Sequence, residues 1–182
     1  VLDAVGIETV VVQQSQCCGA VKFHLNDHDG GKAQMRANID AWWPAVQAGE
    51  VEAIVSNASG CGAMLKDWGH VLRHEPAYAE KAARISALTK DLSELLPALL
   101  PELADKLAAQ VKVPQQPMAY HPPCTLQHAQ KLKGVVESNL TKLGFQLTTA
   151  RTESHLCCGS AGTYSVLQPV LSKTLRDGKL KA

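Results

Sequence analysis

The sequence predicts an α/β fold: two pseudo-symmetric lobes of short parallel strands and helices, with a helical insertion between them. Three observations carry this. A short apolar run, a cysteine loop and a helical stripe recur in that order, the pattern of strands joined by crossover helices. Cys-Cys-Gly occurs twice, in Ser15-Gln16-Cys17-Cys18-Gly19-Ala20 and in Ser154-His155-Leu156-Cys157-Cys158-Gly159-Ser160-Ala161-Gly162. Each pair has a lone companion, Cys61 in Ser59-Gly60-Cys61-Gly62-Ala63 and Cys124 in Tyr120-His121-Pro122-Pro123-Cys124, so the six cysteines fall into two sets of three.

Residues 1–7 read as a helix end with a turn at Gly6. Residues 8–14, with Val10-Val11-Val12, read as a buried parallel strand that delivers Cys17 and Cys18 at its C-terminal end, where open α/β sheets bind ligands. Gly19, without a Cβ, lets the backbone pass close to a bulky group. Met35, Ile39, Trp42 and Val46 recur at helical spacing and predict a helix over 32–48, with Pro44 bending it or marking its last turns. Residues 51–55 predict a second strand, followed by the Cys61 loop and a helix from about Ala63. Ile85, Leu88, Leu92, Leu95, Leu99 and Leu103 form a leucine-rich stripe that Pro97 and Pro101 should break into pieces, packed on the protein's own sheet.

Val113-Pro114-Gln115-Gln116-Pro117 reads as a linker, which divides the chain into halves at 1–112 and 113–182. Residues 118–121 predict a strand ending at Cys124. Thr125 would cap a helix lined by Leu126, Ala129, Leu132, Val136, Leu140 and Leu143 and stopped by Gly144. Residues 145–149 predict the next strand. Residues 160–182 predict a helix with Tyr164, Leu167, Leu171 and Leu175 on one face.

With 182 residues the chain fits one domain or two small lobes. Aromatics are scarce at 4%, so the core is aliphatic. A net charge of +1 gives no basic field for nucleic acid. No run of 18 apolar residues is present to span a membrane. Six cysteines would permit three disulfides, but a chain this long needs no such framework, and adjacent cysteines pair with strain. A reducing compartment with thiolate ligands fits better.

The spacing extends the repeat. Between Cys124 and Cys157 lie 32 residues, and between Cys18 and Cys61 lie 42. One shared plan, lone Cys then Cys-Cys-Gly then lone Cys, puts further cysteines about 16 residues before Val1 and about 19 after Ala182. The first half then lacks its N-terminal strand and helix, the second half its C-terminal strand.

Several thiolates converging from the ends of parallel strands suit an iron-sulfur cluster, and helix N-termini after the loops favour their negative charge. The candidate ligands are Cys17, Cys18, Cys61, Cys124, Cys157 and Cys158. Zinc is the rival, since His24, His121, His128 and His155 lie near the cysteines, but its Cys-x-x-Cys knuckle is absent. Buried inert thiols are the plainer alternative for any single cysteine and explain paired, matched loops poorly. His121 and His155 each precede a cysteine and are candidates to donate hydrogen bonds to sulfur. Trp42-Trp43 reads as core or interface rather than as an electron path. Gly30-Gly31 and Gly60-Cys61-Gly62 lack the spacing of a phosphate-binding loop.

The doubled Cys-Cys-Gly resembles the cysteine-rich domain of heterodisulfide reductase-like proteins. Ala41-Trp42-Trp43-Pro44-Ala45, Ala58-Ser59-Gly60-Cys61-Gly62-Ala63, Pro123-Cys124-Thr125-Leu126-Gln127-His128-Ala129-Gln130-Lys131-Leu132 and His155-Leu156-Cys157-Cys158-Gly159-Ser160-Ala161-Gly162-Thr163-Tyr164 resemble, more closely, the glycolate oxidase iron-sulfur subunits. The resemblance covers nearly the whole chain. It implies the C-terminal part of such a subunit, a 4Fe-4S cluster in the intact protein, and electron transfer from a flavin-containing glycolate oxidase subunit that turns glycolate into glyoxylate. The oxidoreductase would then be the complex, with this chain alone not catalytic. It implies a cytoplasmic place, or attachment at the inner membrane through partners. Met64 stands where some relatives carry a further cysteine. Two alternatives accompany this reading: a heterodisulfide reductase-like thiol-disulfide enzyme, and a zinc-bound or metal-free scaffold, with the cluster site empty in a chain cut at both ends.

Overall fold

The computed structural model describes residues 2–110 and 113–182, apart from the side chains of residues 109 and 110. The boundary expected at 112/113 touches residues 111 and 112, and the first of residues 1–7 is Val1; all three lie outside the described residues. The fold is α/β, helix-rich, with short parallel strands in two small sheets. The chain forms two compact units, Val1–Lys106 and Leu107–Ala182.

The first unit opens with a 3-10 turn, Asp3–Val5, closed by Gly6 at φ 74°. Helices α1 (Ala20–His24) and α2 (His28–Ala48) follow. Asp27 caps α2 by accepting the Gly30 N–H at 2.9 Å, and Gly49 ends it in the left-handed region at φ 75°. Pro44 lies inside α2, one turn from its C-terminus, and so marks its last turns. Strand β1 (Ile54–Ser56), α3 (Ser59–Val71), α4 (Ala79–Leu88), β2 (Thr89–Asp91) and α5 (Leu92–Gln110) complete the order. β1 and β2 pair in parallel, Ile54 opposite Thr89 and Ser56 opposite Asp91, with α3 and α4 as the crossover.

The core is built where the apolar stripes of α2, α3 and α4 meet. Met35 and Ile39 from α2, Met64, Leu65 and Trp68 from α3, and Ala82 and Ile85 from α4 are buried together with Leu72 and Cys18. Each large side chain so buried contributes about 1.5–3 kcal/mol. Met64 is therefore a core residue, nearly fully enclosed.

The second unit contains β3 (Met118–Ala119), a π-helical turn at Thr125–Ala129, α6 (Val135–Lys142), β4 (Leu147–Thr148), α7 (Tyr164–Leu167) and α8 (Pro169–Lys181). β3 and β4 pair in parallel, Met118 opposite Leu147.

Five expectations are corrected. Residues 8–14 form no strand, and Val10 and Val11 are 78% and 82% exposed; a strand needs a neighbouring edge, and none pairs with this run among the described residues. β2 falls inside the leucine-rich stretch, where only helix was expected. Pro97 and Pro101 sit within a continuous α5, on its exposed side. Their spacing of four makes the Pro97 carbonyl the one that Pro101 leaves without a helical donor. The helix expected over Thr125–Leu143 is split, because Lys131 and Gly134 adopt left-handed φ values of 60° and 80°. Gln127 Nε2 braces the tight turn before the split by donating to the Pro122 carbonyl at 2.9 Å. The last helix is split at Gln168, and Leu167 and Leu171 on its expected face are exposed.

Candidate functional site

In the first unit the Cys-Cys-Gly loop is fixed by its glycine. Gly19 has φ +86°, and a Cβ there would meet the Gly31 carbonyl oxygen at 2.6 Å. Gly31 is equally confined, since its own Cβ would meet the Phe23 Cβ at 2.9 Å. Gly31 thus serves the packing of α2 on α1, while Gly30 leaves room for the Asp27 carboxylate that caps α2. The loop is further held by side chains. Trp42 Nε1 donates to Ser15 Oγ at 2.9 Å; Asn38 Oδ1 accepts the Gln16 N–H at 2.7 Å and Asn38 Nδ2 donates to the Cys17 carbonyl at 3.0 Å; Trp68 Nε1 donates to the Cys18 carbonyl at 3.1 Å. Trp42 and Trp68 stack, ring centroids 5.5 Å apart, while Lys81 lies over Trp43.

Cys17 and Cys61 are exposed and Cys18 is buried. Cys61 is not in a loop, as expected, but in the first turn of α3, directly after β1. Burial pushes the Cys18 thiol up to about 12, helped by a hydrogen bond with the Cys61 thiol and by the charges that Cys61 and Cys17 would carry, and opposed by the Ala20 N–H. Cys18 thus lies within electrostatic reach of both Cys17 and Cys61.

The second unit repeats the plan with different grips. Gly159 has φ +85°, and a Cβ there would strike the Ser172 carbonyl oxygen. Ser172 Oγ donates to the Gly159 carbonyl at 2.8 Å, and the Gly159 N–H donates to Cys157 Sγ at 3.3 Å. Burial raises the Cys124 thiol, and the neighbouring Cys157, by charge and by a hydrogen bond, and Cys158, by charge, add to the rise. Cys124, Cys157 and Cys158 are half-buried neighbours. His121 has a buried Nε2 with no partner, and burial, seconded by Lys179, holds its imidazole below the ordinary range. The His155 side chain is exposed, and its carbonyl lies 3.2 Å from His128 Nε2.

The donor set is all sulfur, which suits iron-sulfur clusters and zinc alike. In each unit the buried or half-buried cysteine, Cys18 or Cys124, lies within electrostatic reach of the other two. Among the described residues no group of three or more His, Cys, Asp or Glu side chains is arranged to close on an ion. The donors fit the chemistry and their arrangement stops short of a finished cage. Asn38, Trp68 and Ser172 were not anticipated from the sequence. Asn38 carried a signal, an amide set between Met35, Ile39 and Trp42 on an otherwise apolar helix face.

The sequence profile of the CCG Cysteine-rich domain family matches residues 1–66 and 118–182. The chain is 50% identical over 182 residues to the glycolate oxidase iron-sulfur subunit of Escherichia coli, covering 100% of this chain and 43% of that protein. It is 29% identical over 181 residues to the probable glycolate oxidase iron-sulfur subunit of Bacillus subtilis, covering 39% of it. It is 28% identical over 183 residues to lactate utilization protein A of Bacillus licheniformis, covering 98% of this chain and 71% of that protein. The chain thus spans less than half the length of the first two relatives. No solved structure matches it. The chain belongs to the CCG family of cysteine-rich domains.

Proposed function

We propose that this CCG domain is the cysteine-rich part of an electron-transfer iron-sulfur subunit in a glycolate oxidase complex. Its partner is a flavin-containing subunit that oxidises glycolate to glyoxylate, so this chain carries no substrate site of its own. The observation that carries the reading is two matched sets of free thiols, Cys17, Cys18 and Cys61 in one unit and Cys124, Cys157 and Cys158 in the other, each with its Cys-Cys pair followed by a left-handed glycine. These cysteines, three in each unit, are the candidate ligands for iron-sulfur chemistry of 4Fe-4S type, which would supply one-electron transfer when bound. His121, with its orphaned Nε2 three residues before Cys124, is the better placed of the two histidines to donate to a bound sulfur; His155 faces solvent. No described helix is long and apolar enough to cross a membrane, and we place the chain in the cytoplasm, reaching a membrane only through partners.

Iron and acid-labile sulfide, measured after oxygen-free purification, test this. Cys18→Ser and Cys157→Ser should each lower both while leaving the far-ultraviolet circular dichroism unchanged. Iron and sulfide contents unaffected by either substitution would sink the ligand assignment. The mutual influence of the Cys18 and Cys61 thiols favours a second reading, thiol-disulfide chemistry. Consumption of a small disulfide by the isolated chain would support it, and zinc in place of iron would support a scaffold.

A further inference from the structure

Four consecutive residues of the first Cys-Cys-Gly loop are each gripped by a side chain from α2 or α3. Ser15 is held through its hydroxyl by Trp42, Gln16 through its N–H by Asn38, Cys17 through its carbonyl by Asn38, and Cys18 through its carbonyl by Trp68. Asn38 and Trp68 are fully enclosed, at 0% exposure each. Asn38 spends both ends of its amide, since Nδ2 also donates to the Gln34 carbonyl at 2.9 Å. A buried amide left with half its partners is costly, so this side chain holds one orientation. Trp68 is fixed in turn by its stack on Trp42.

We infer that Asn38 and Trp68 are positioning residues: by tying down the carbonyls of Cys17 and Cys18 they set the direction of the two thiols toward Cys61. A peptide unit is planar, so a carbonyl held from inside fixes the plane and the Cα atoms on both sides of it, and restricts where the side chains on those atoms point. The indole and the amide reach the loop from 50 and 21 residues away, which makes the sulfur arrangement a property of the packed core. The consequence for a bound cluster rests on the function proposed above; the orientation of the thiols does not.

The test uses the metal-free chain and iodoacetamide, with the labelling rate of each cysteine read by peptide mass spectrometry. Trp68→Phe keeps a ring and loses the N–H; Asn38→Leu keeps the shape and loses the amide. Ile85→Val, a change in the same core away from the loop, serves as the stability-matched comparator. Trp68→Phe should raise the Cys18 to Cys61 rate ratio about fivefold, the order of one lost hydrogen bond. Asn38→Leu should shift the Cys17 to Cys61 ratio by a similar factor, and Ile85→Val should move neither. Should one variant fail to fold, the other decides, and Trp42→Phe, which frees Ser15 and keeps an aromatic ring against Trp68, should give a smaller shift in the same direction. Ratios in the loop variants equal to those of Ile85→Val overturn the inference. After oxygen-free reconstitution with iron and sulfide, a changed paramagnetic spectrum in Trp68→Phe would extend the effect to the cluster. Failure of the unaltered chain to take up iron and sulfide would sink the proposed function while the labelling ratios still decide the positioning.

Discussion

At Gly19 one hydrogen atom decides whether the first loop closes. The position combines a left-handed φ of +86° with a carbonyl oxygen 2.6 Å from where a Cβ would sit. Gly19→Ala should cost about 2 kcal/mol or more, from backbone strain and displacement of α2, read as a lower urea midpoint. His121 yields a pH dependence. Its imidazole titrates below the ordinary 6.5 in the folded chain, chiefly through burial. The unfolded chain then binds more protons in mild acid. The contribution of His121 is present above about pH 6.5 and is lost as pH falls through its lower folded value. His121→Gln should flatten the fall of the urea midpoint below pH 6.5; an unchanged slope would show that burial of this ring is not felt in stability. Glycines and cysteines were legible in the sequence because their meaning is local. Asn38 and Trp68 were not, because their partners lie across the core and no short window contains both ends of the bond.

Among the elements, the two strands of the first sheet show how far local pattern reaches. Val10-Val11-Val12 has strand composition and forms none, whereas Thr89-Lys90-Asp91 is polar and does. Pairing with β1, 35 residues earlier, makes the second a strand, and tertiary pairing overrides propensity. β2 then hands the chain straight to α5. Asp91 Oδ1 accepts from the Ser93 N–H at 2.9 Å and the Ser93 hydroxyl at 2.7 Å, and Glu94 Oε2 accepts the Asp91 N–H at 3.0 Å. This reciprocal cap secures the start of a helix that carries two prolines. Asp91→Ala should cost about 1 kcal/mol, with thermal melting as the measurement, and a cost near zero would show that the prolines, not the cap, set where α5 begins.

Over the whole molecule, apolar burial is unequal. Among the described residues the first unit encloses Trp68, Met35, Ile39, Leu72 and Ile85 almost completely, while Leu126 is the buried hydrophobic residue of the second. Val166, Leu167, Val170, Leu171 and Leu180 of the second unit are all more than half exposed. Local opening tracks buried apolar contact, so amide hydrogen exchange should show slower amides on α2, α3 and α4 than on α6 and α8. Equal protection would mean that something other than side-chain burial steadies the second unit. The doubled plan itself was legible, because repetition of Cys-Cys-Gly needs no knowledge of packing.

Helix α3 has a mechanical consequence. Cys61 stands in its first turn and Trp68 seven residues on, about 10 Å along the same face. One rigid rod therefore carries a thiol at one point and, at another, the indole that holds the Cys18 backbone. Any thrust along that rod moves both attachments in step, so the spacing among Cys17, Cys18 and Cys61 travels as a unit instead of shearing.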